Sequence, residues 1–265
     1  MLKSTFIFLN GIGESTEQRL WEHGIDSWET FLASPSVPGI PPARKELYDT
    51  ELQTALHHLE CGHATYFARC LKSRDHWRLF ETFRHKTAFL DIETNGAPAA
   101  DGYVTVVGIY GCYGMTSLVH GDTLNYDRLT NELAKYDLLV TFFGSGFDVP
   151  YLRAQFPRLT INHPHFDLCF AARRLGYKGG LKHIEAEFDL QRPSNVEGLT
   201  GWDAVLLWEA WCAGDADAGT RLLTYNEMDV KNLEPLAEHV FDELKQRYQP
   251  VQAPEYMRQQ KMVKQ

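Results

Sequence analysis

The spacing of apolar residues divides the chain into a helical leader, a strand-rich middle and a helical last third. Apolar residues recur every three or four positions over 45–59 and 64–71, which is typical of helices that bury one face. Two shorter helical patterns broken by glycines precede them, and the proline-rich residues 35–42 are interpreted as a linker. Residues 1–85 are therefore predicted to be mainly helical.

From Thr87 onward the apolar positions alternate, as in half-buried strands. Helical patterns dominate from about 168 to 245, and the polar residues 246–265 are predicted to form a tail. Strands followed by mixed strands and helices indicate an α/β domain over 86–245, with helices packed on a sheet. The predicted strands are 87–93, 103–110, 115–120 and 138–143, and a helix is predicted at 126–135.

The composition favours a folded protein with a sizeable core. The 265 residues are 44% hydrophobic and 23% charged, which argues against wholesale disorder. Five scattered cysteines without a Cys-x-x-Cys pair are typical of a reduced, cytoplasmic protein. No signal peptide is evident and no apolar run approaches the roughly 20 residues of a membrane span, so no membrane association is expected.

Two acidic residues end the most apolar predicted strand. Asp91 and Glu93 are two positions apart and therefore project from one face, whereas Leu90 and Ile92 project into the core. Burying two carboxylates beside such a strand is costly unless a cation neutralises them. An isolated Asp-x-Glu is more often a solvated pair, so the pattern indicates a metal site only if further acids lie close to it in the fold.

Two further acids lie in later segments. Asp148 follows a glycine-flanked loop at a predicted helix start, where an aspartate can also serve as an N-cap. Tyr225 and Asp229 are four apart and share one face of a helix, although alone they would suit a surface acid beside a half-buried tyrosine. Carboxylate oxygens are the ligands that hard divalent cations prefer. Convergence of the four acids would therefore create a site for two metal ions.

The order of these residues resembles that of the DEDD exonuclease superfamily, whose members have a ribonuclease H-like fold. Tyr225 places the resemblance in the DEDDy branch. The resemblance implies a mixed sheet flanked by helices, preceded here by a small N-terminal helical region. The segments that carry it are Phe-Leu-Asp-Ile-Glu-Thr-Asn-Gly at 89–96, Thr-Phe-Phe-Gly-Ser-Gly-Phe-Asp-Val-Pro at 141–150 and Tyr-Asn-Glu-Met-Asp at 225–229.

Within that superfamily the chain looks most similar to the YprB-like ribonuclease H-like proteins. The similarity extends outside the acidic motifs, into the leader and into the region between the second and third motifs. The segments concerned are Gly-Ile-Gly at 11–13, Trp-Arg-Leu-Phe at 77–80, His-Phe-Asp-Leu at 165–168 and Gly-Leu-Lys at 180–182.

The resemblance to the exonucleases also implies a mechanism, which is hydrolysis of phosphodiester bonds with two Mg²⁺ or Mn²⁺ ions. Asp91 would bridge the ions, Glu93 and Asp229 would hold the first, and Asp148 would hold the second. Tyr225 would orient the attacking water. The expected activity is that of a 3′→5′ exonuclease on single-stranded DNA or RNA or on frayed ends. A structure-specific endonuclease and a non-catalytic nucleic-acid adaptor of the same fold remain alternatives.

Two other segments are predicted to contact nucleic acid. The leader around Gly11 and Gly13 resembles a helix-hairpin-helix, whose turn amides can hold a phosphate; Glu14 and Glu17 would repel one, so a packing hairpin is the alternative. Lys182 could contact the substrate backbone or could be a surface lysine. The net charge of −9 is unusual for a protein that holds a long duplex through many phosphates, and it suits a strand end better.

Overall fold

A five-stranded mixed sheet lies at the centre of the fold in a computed structural model, which describes residues 1–249. The strand order is β3-β2-β1-β4-β5, with β1 antiparallel to β2 and parallel to β4. The remaining neighbours pair as β2 with β3, antiparallel, and β4 with β5, parallel. The strands are β1 (Thr87–Thr94), β2 (Val104–Gly111), β3 (Gly114–Val119), β4 (Leu138–Thr141) and β5 (His165–Asp167).

Helices make up most of the leader and most of the chain after β5. None of those within residues 1–249 combines the length and the apolar character needed to cross a membrane. They are α1 (Glu14–Glu22), α2 (Trp28–Ala33), α3 (Pro42–Glu60), α4 (Ala64–Cys70), α5 (Phe80–Phe83), α6 (Tyr126–Leu133), α7 (Asp148–Gln155), α8 (Leu168–Leu175), α9 (Leu181–Glu187), α10 (Gly201–Cys212), α11 (Ala216–Lys231) and α12 (Leu233–Tyr248), with 3₁₀ turns at Leu2–Ser4, Ser73–Leu79 and Arg84–Lys86.

The predicted strands and helices are confirmed, with shifts of one or a few residues at their ends and one strand missed. The linker predicted for 35–42 ends one residue early, because Pro42 begins α3, a position that suits proline. The fourth strand stops at Thr141, and residues 142–147 form a loop. The sequence pattern missed β5, since its three residues are too few to show alternation.

The two faces of the sheet are covered by different hydrophobic clusters. Leu90 and Ile92 pack on one face among residues of α6 and α7, as their alternation with the acids predicted. Phe89 belongs to a cluster on the other face that also includes residues of α8, α12 and the leader helices. The leader and the α/β region therefore share one core. Helix α12 continues to Tyr248, and residues 250–265 of the predicted tail lie outside the described part of the chain.

Candidate metal and nucleic-acid site

Strand β1 and helix α11 bring three carboxylates together. Oxygen atoms of Asp91, Glu93 and Asp229 all lie within 4.8 Å of one another. The first two share a face of β1 because they are two positions apart, and α11 packs across that face. One acidic cluster thus contains Asp91 and Asp229, which are 138 positions apart in the sequence.

A glycine allows α11 to approach the strands closely. Gly108 of β2 pairs with Asp91, and a Cβ atom at Gly108 would lie 2.2 Å from Asn226 Oδ1 and 2.7 Å from a Val230 methyl. The Nδ2 group of Asn226 donates hydrogen bonds to Asp91 (3.1 Å) and Glu93 (3.4 Å). The sequence reading missed Asn226, although its position three before Asp229 places both on one helix face.

Asp148 lies against β1 at the start of α7. The N-cap of this helix is Phe147 and Asp148 is its first residue, so the N-cap alternative is wrong; the Asp148 Oδ1 accepts a hydrogen bond from the Ile92 amide (3.1 Å). The residue is only 3% exposed. Burial raises the pKa of Asp148 to about 7, and the charges of Asp167 and Asp229 add to that rise. The fourth acid therefore lies beside the other three, in the same buried region.

The acidic cluster is electrostatically incomplete without cations. Burial raises the pKa of Asp91 well above its usual value, and the Asp148 and Glu93 carboxylates raise it further. Burial likewise raises the pKa of Glu93, with Asp229 as the strongest like charge. A set of hard oxygen donors that resists ionisation through burial and mutual repulsion fits divalent cations, which would stabilise the ionised form and release the protons.

Arg192 supplies part of the missing positive charge. Its guanidinium pairs with Asp229 and forms two hydrogen bonds with Glu185, at 2.7 and 2.8 Å. The Arg192 side chain is 6% exposed, and Asn232 donates a further hydrogen bond to Glu185 (3.0 Å). Burial raises the pKa of Asp229, and Arg192 opposes that rise. Arg192 lies in a loop without periodic pattern, so the sequence reading missed it.

Tyr225 and Lys182 meet at the edge of the cluster. The Lys182 ammonium donates a hydrogen bond to the Tyr225 phenol oxygen and lies 4.3 Å from the centre of its ring. Burial, followed by the charges of Asp229 and Glu93, raises the pKa of Tyr225 far above its usual value, so the phenol stays protonated. The structure therefore places Lys182 beside the acids, whereas a contact with nucleic acid stays a prediction.

A cleft of about 640 Å³ opens over the acids. Exposed aromatic rings of Phe147 and Trp202 border it, from the start of α7 and of α10. Its other walls come from the loop after β1 and from α11. The lining includes Asp91, Glu93, Thr94, Gly96, Ala97, Pro98, Gly146, Pro150, Tyr151, Val205, Tyr225 and Asp229.

Gly11 and Gly13 lie apart from this cleft, in the turn that leads into α1. Gly11 has a left-handed φ of 91° and lies close to Arg44 and Tyr48 of α3, and Gly13 precedes the first residue of α1. Glu17 does not project toward a ligand as the sequence suggested, because it is buried against Arg78 (3.2 Å) and accepts hydrogen bonds from Thr5 and Phe6. The contact of this turn with nucleic acid stays a prediction.

Comparison with known proteins agrees with the observed architecture. A structurally similar protein is the family B DNA polymerase from the hyperthermophilic archaeon Pyrobaculum calidifontis, with a TM-score of 0.51 and 17% sequence identity. The match covers 61% of this chain and 25% of the polymerase, so the chain aligns with about a quarter of that protein and the likeness concerns the fold. No curated protein sequence matches the chain. The RNase H superfamily model matches residues 88–241, more than half of the 265 residues, and the chain therefore belongs to the RNase H superfamily.

Proposed function

We propose that the protein is a metal-dependent nuclease of the DEDDy kind, which removes nucleotides from the 3′ end of single strands or frayed ends. The observation that carries this proposal is the convergence of Asp91, Glu93 and Asp229 within 4.8 Å, with Asp148 buried beside them. Membership of the RNase H superfamily supports it, since a nuclease is the activity that this fold suggests.

The four acids would hold two Mg²⁺ or Mn²⁺ ions. The resemblance to the DEDD exonucleases implies Asp91 as the bridge between the ions, and one of its oxygen atoms lies within 4.8 Å of oxygen atoms of Glu93 and Asp229. When bound, such ions lower the pKa of water and stabilise the charge that develops on a phosphodiester. Arg192 neutralises part of the charge on Asp229 and fixes the position of that carboxylate.

Tyr225 is suited to orienting water rather than to removing its proton. Its raised pKa keeps the phenol protonated at neutral pH, so the group acts as a hydrogen-bond partner. Lys182 donates to the phenol oxygen, which fixes the rotation of the ring and directs the phenol proton elsewhere. The same ammonium would offer a positive charge to a substrate phosphate.

The shape of the cleft favours an unpaired end over a continuous duplex. Its volume of about 640 Å³ is that of a site for one small ligand, as expected for a terminal nucleotide. The exposed rings of Phe147 and Trp202 provide apolar faces on which unpaired bases can stack. Both DNA and RNA would be accepted by stacking alone.

The test is an assay of 5′-labelled single strands with Mn²⁺, with and without EDTA, using DNA and RNA. A ladder of products that shorten one nucleotide at a time supports the exonuclease, and EDTA is expected to abolish it. A single internal cut would instead indicate a structure-specific endonuclease, and binding without cleavage an adaptor. Asp91→Asn should abolish cleavage, whereas Asp122→Asn, at an exposed acid, should leave it unchanged.

A further inference from the structure

Phe143, in the loop after β4, combines a strained backbone with an exposed ring. Its φ of 65° is left-handed, a conformation that β-carbon sterics disfavour for a residue other than glycine. The ring is 42% exposed, so burial does not explain the strain. Backbone strain of this kind persists only where the surrounding structure enforces it, and it is concentrated at functional sites.

Asp167 and Gly146 enforce this conformation. One oxygen of the Asp167 carboxylate accepts a hydrogen bond from the Phe143 amide (2.9 Å), and the other accepts from the amide (3.0 Å) and hydroxyl (2.6 Å) of Ser145. The Phe143 ring lies over Gly146, where a Cβ atom would come within 2.7 Å of it. The loop thus holds an aromatic ring at the surface in a defined position.

The Phe143 ring continues the aromatic border of the cleft toward a second exposed ring. Gly146, which it covers, lines the cleft itself. On its other side Phe143 lies 5.9 Å from Phe170, centre to centre, and Phe170 is 44% exposed. The guanidinium of Arg173 lies 5.6 Å from the centre of the Phe170 ring, and Arg173 forms no salt bridge with any residue in the described range 1–249.

Positive charge lies where the aromatic rings end. Beyond Phe170 a hollow of about 390 Å³ is bordered by Arg74 and Arg174. Both of these arginines form salt bridges with Asp75 and Glu14, so Arg173 is the cation of this region that remains for a phosphate. A strand of nucleic acid that leaves the cleft would meet apolar ring faces and then positive charge. This alternation of stacking surfaces and cations is the way proteins hold single strands without reading their sequence.

We propose that Phe143 and Phe170 form a stacking platform for unpaired bases several nucleotides from the strand end held over the acids, with Arg173 contacting a phosphate. The inference rests on the proposed function for the direction of the strand, and it extends the substrate from one terminal nucleotide to a single-stranded segment. Stacking uses the ring faces common to all bases, so the platform serves DNA and RNA alike.

The experiment measures the binding of labelled DNA and RNA strands of about 3 and about 12 nucleotides by fluorescence anisotropy. The shorter strand is designed to occupy the cleft, and the longer one to reach the platform as well. All proteins carry Asp91→Asn, so that strands are not cut. Phe143→Ala combined with Phe170→Ala should weaken binding of the longer strands by about tenfold or more and leave binding of the shorter strands within about twofold. Tyr113→Ala, at a tyrosine that is 59% exposed on the β2–β3 turn, should change neither.

Phe143→Gly separates loss of the ring from damage to the fold. Glycine accepts a φ of 65° without strain, so this variant should keep the melting temperature of its parent and still lose affinity for the longer strands. If the platform variants bind long strands as tightly as Tyr113→Ala does, the platform is refuted, and cleavage by the unmodified protein would leave the nuclease standing. If binding of the longer strands is lost as expected but the unmodified protein leaves strands intact in Mn²⁺, the platform is supported and the nuclease is refuted. If the Asp91→Asn parent binds neither length, the platform is refuted, and the cleavage assay of the unmodified protein decides on the nuclease.

Discussion

Replacing Asp91 by asparagine should have opposite effects on stability with and without metal. In metal-free buffer the change removes one charge from a group of three carboxylates with oxygens within 4.8 Å. Two such charges 4.8 Å apart repel by about 3.5 kcal/mol at an effective dielectric constant of about 20. The new amide can still accept a hydrogen bond from Asn226 through its carbonyl oxygen.

The net gain in EDTA is smaller than the repulsion of one pair. Asp91 in the parent protein escapes part of that repulsion by taking up a proton, as its raised pKa indicates. We therefore expect Asp91→Asn to raise the free energy of unfolding by about 1–2 kcal/mol at pH 8, which corresponds to a rise of about 2–8 °C in Tm. Thermal unfolding in EDTA, followed by circular dichroism, measures this change.

Manganese should reverse the order of the two proteins. Ions at 100 times their Kd stabilise the parent by about 2.7 kcal/mol for each site. A tenfold loss of affinity at each of two sites in Asp91→Asn would reduce the total from about 5.4 to about 2.8 kcal/mol, and this loss of about 2.6 kcal/mol exceeds the gain of about 1–2 kcal/mol in EDTA. Asp122→Asn makes the same chemical change at an exposed acid, so its Tm should equal that of the parent in EDTA and in Mn²⁺. The reasoning is refuted if Asp91→Asn is less stable than the parent in EDTA, or if Mn²⁺ leaves the parent's Tm where it was.

Four other perturbations test single parts of the site. Tyr225→Phe should lower kcat by about a hundredfold, because the attacking water is misplaced, and should leave the Mn²⁺-induced rise in Tm intact. Gel assays measure the first effect and melting curves the second. Arg192→Gln leaves Glu185 buried without its partner and should cost about 3–5 kcal/mol in urea unfolding, a loss that Arg192→Met with Glu185→Leu should partly recover. Gly108→Ala should push α11 away from β1, costing about 1–3 kcal/mol and most of the activity; unchanged kinetics would show that the close approach is unnecessary. Because the pKa of Asp148 is raised to about 7 in the folded state, its protonation contributes stability that is full below about pH 4 and is lost as the pH rises through 7. The Tm advantage of Asp148→Asn over the parent in EDTA should therefore grow from pH 5 to pH 8, and a constant difference would contradict the shift.

Features that follow from local periodicity were predictable from the order of the residues alone. Alternation placed Asp91 and Glu93 on one face of β1 and Leu90 on the other, because successive side chains of a strand project to opposite faces. A spacing of four placed Tyr225 and Asp229 on one face of α11. These rules act over a few residues, so strands and helices were recognisable while β5, with three residues, was not.

Which distant groups meet depends on how the helices and strands pack in three dimensions. The convergence of Asp229 with Asp91 depends on the bare backbone at Gly108, which no local pattern distinguishes from any other strand glycine. Arg192 sits in a loop, and its pairing with Asp229 and Glu185 follows from the packing of α9 and α11 around it. The left-handed backbone of Phe143 likewise depends on a carboxylate 24 residues away, since its amide donates to Asp167. Charge, shape and strain at a site are properties of side chains brought together across the chain, and the order of the residues alone does not fix those distances.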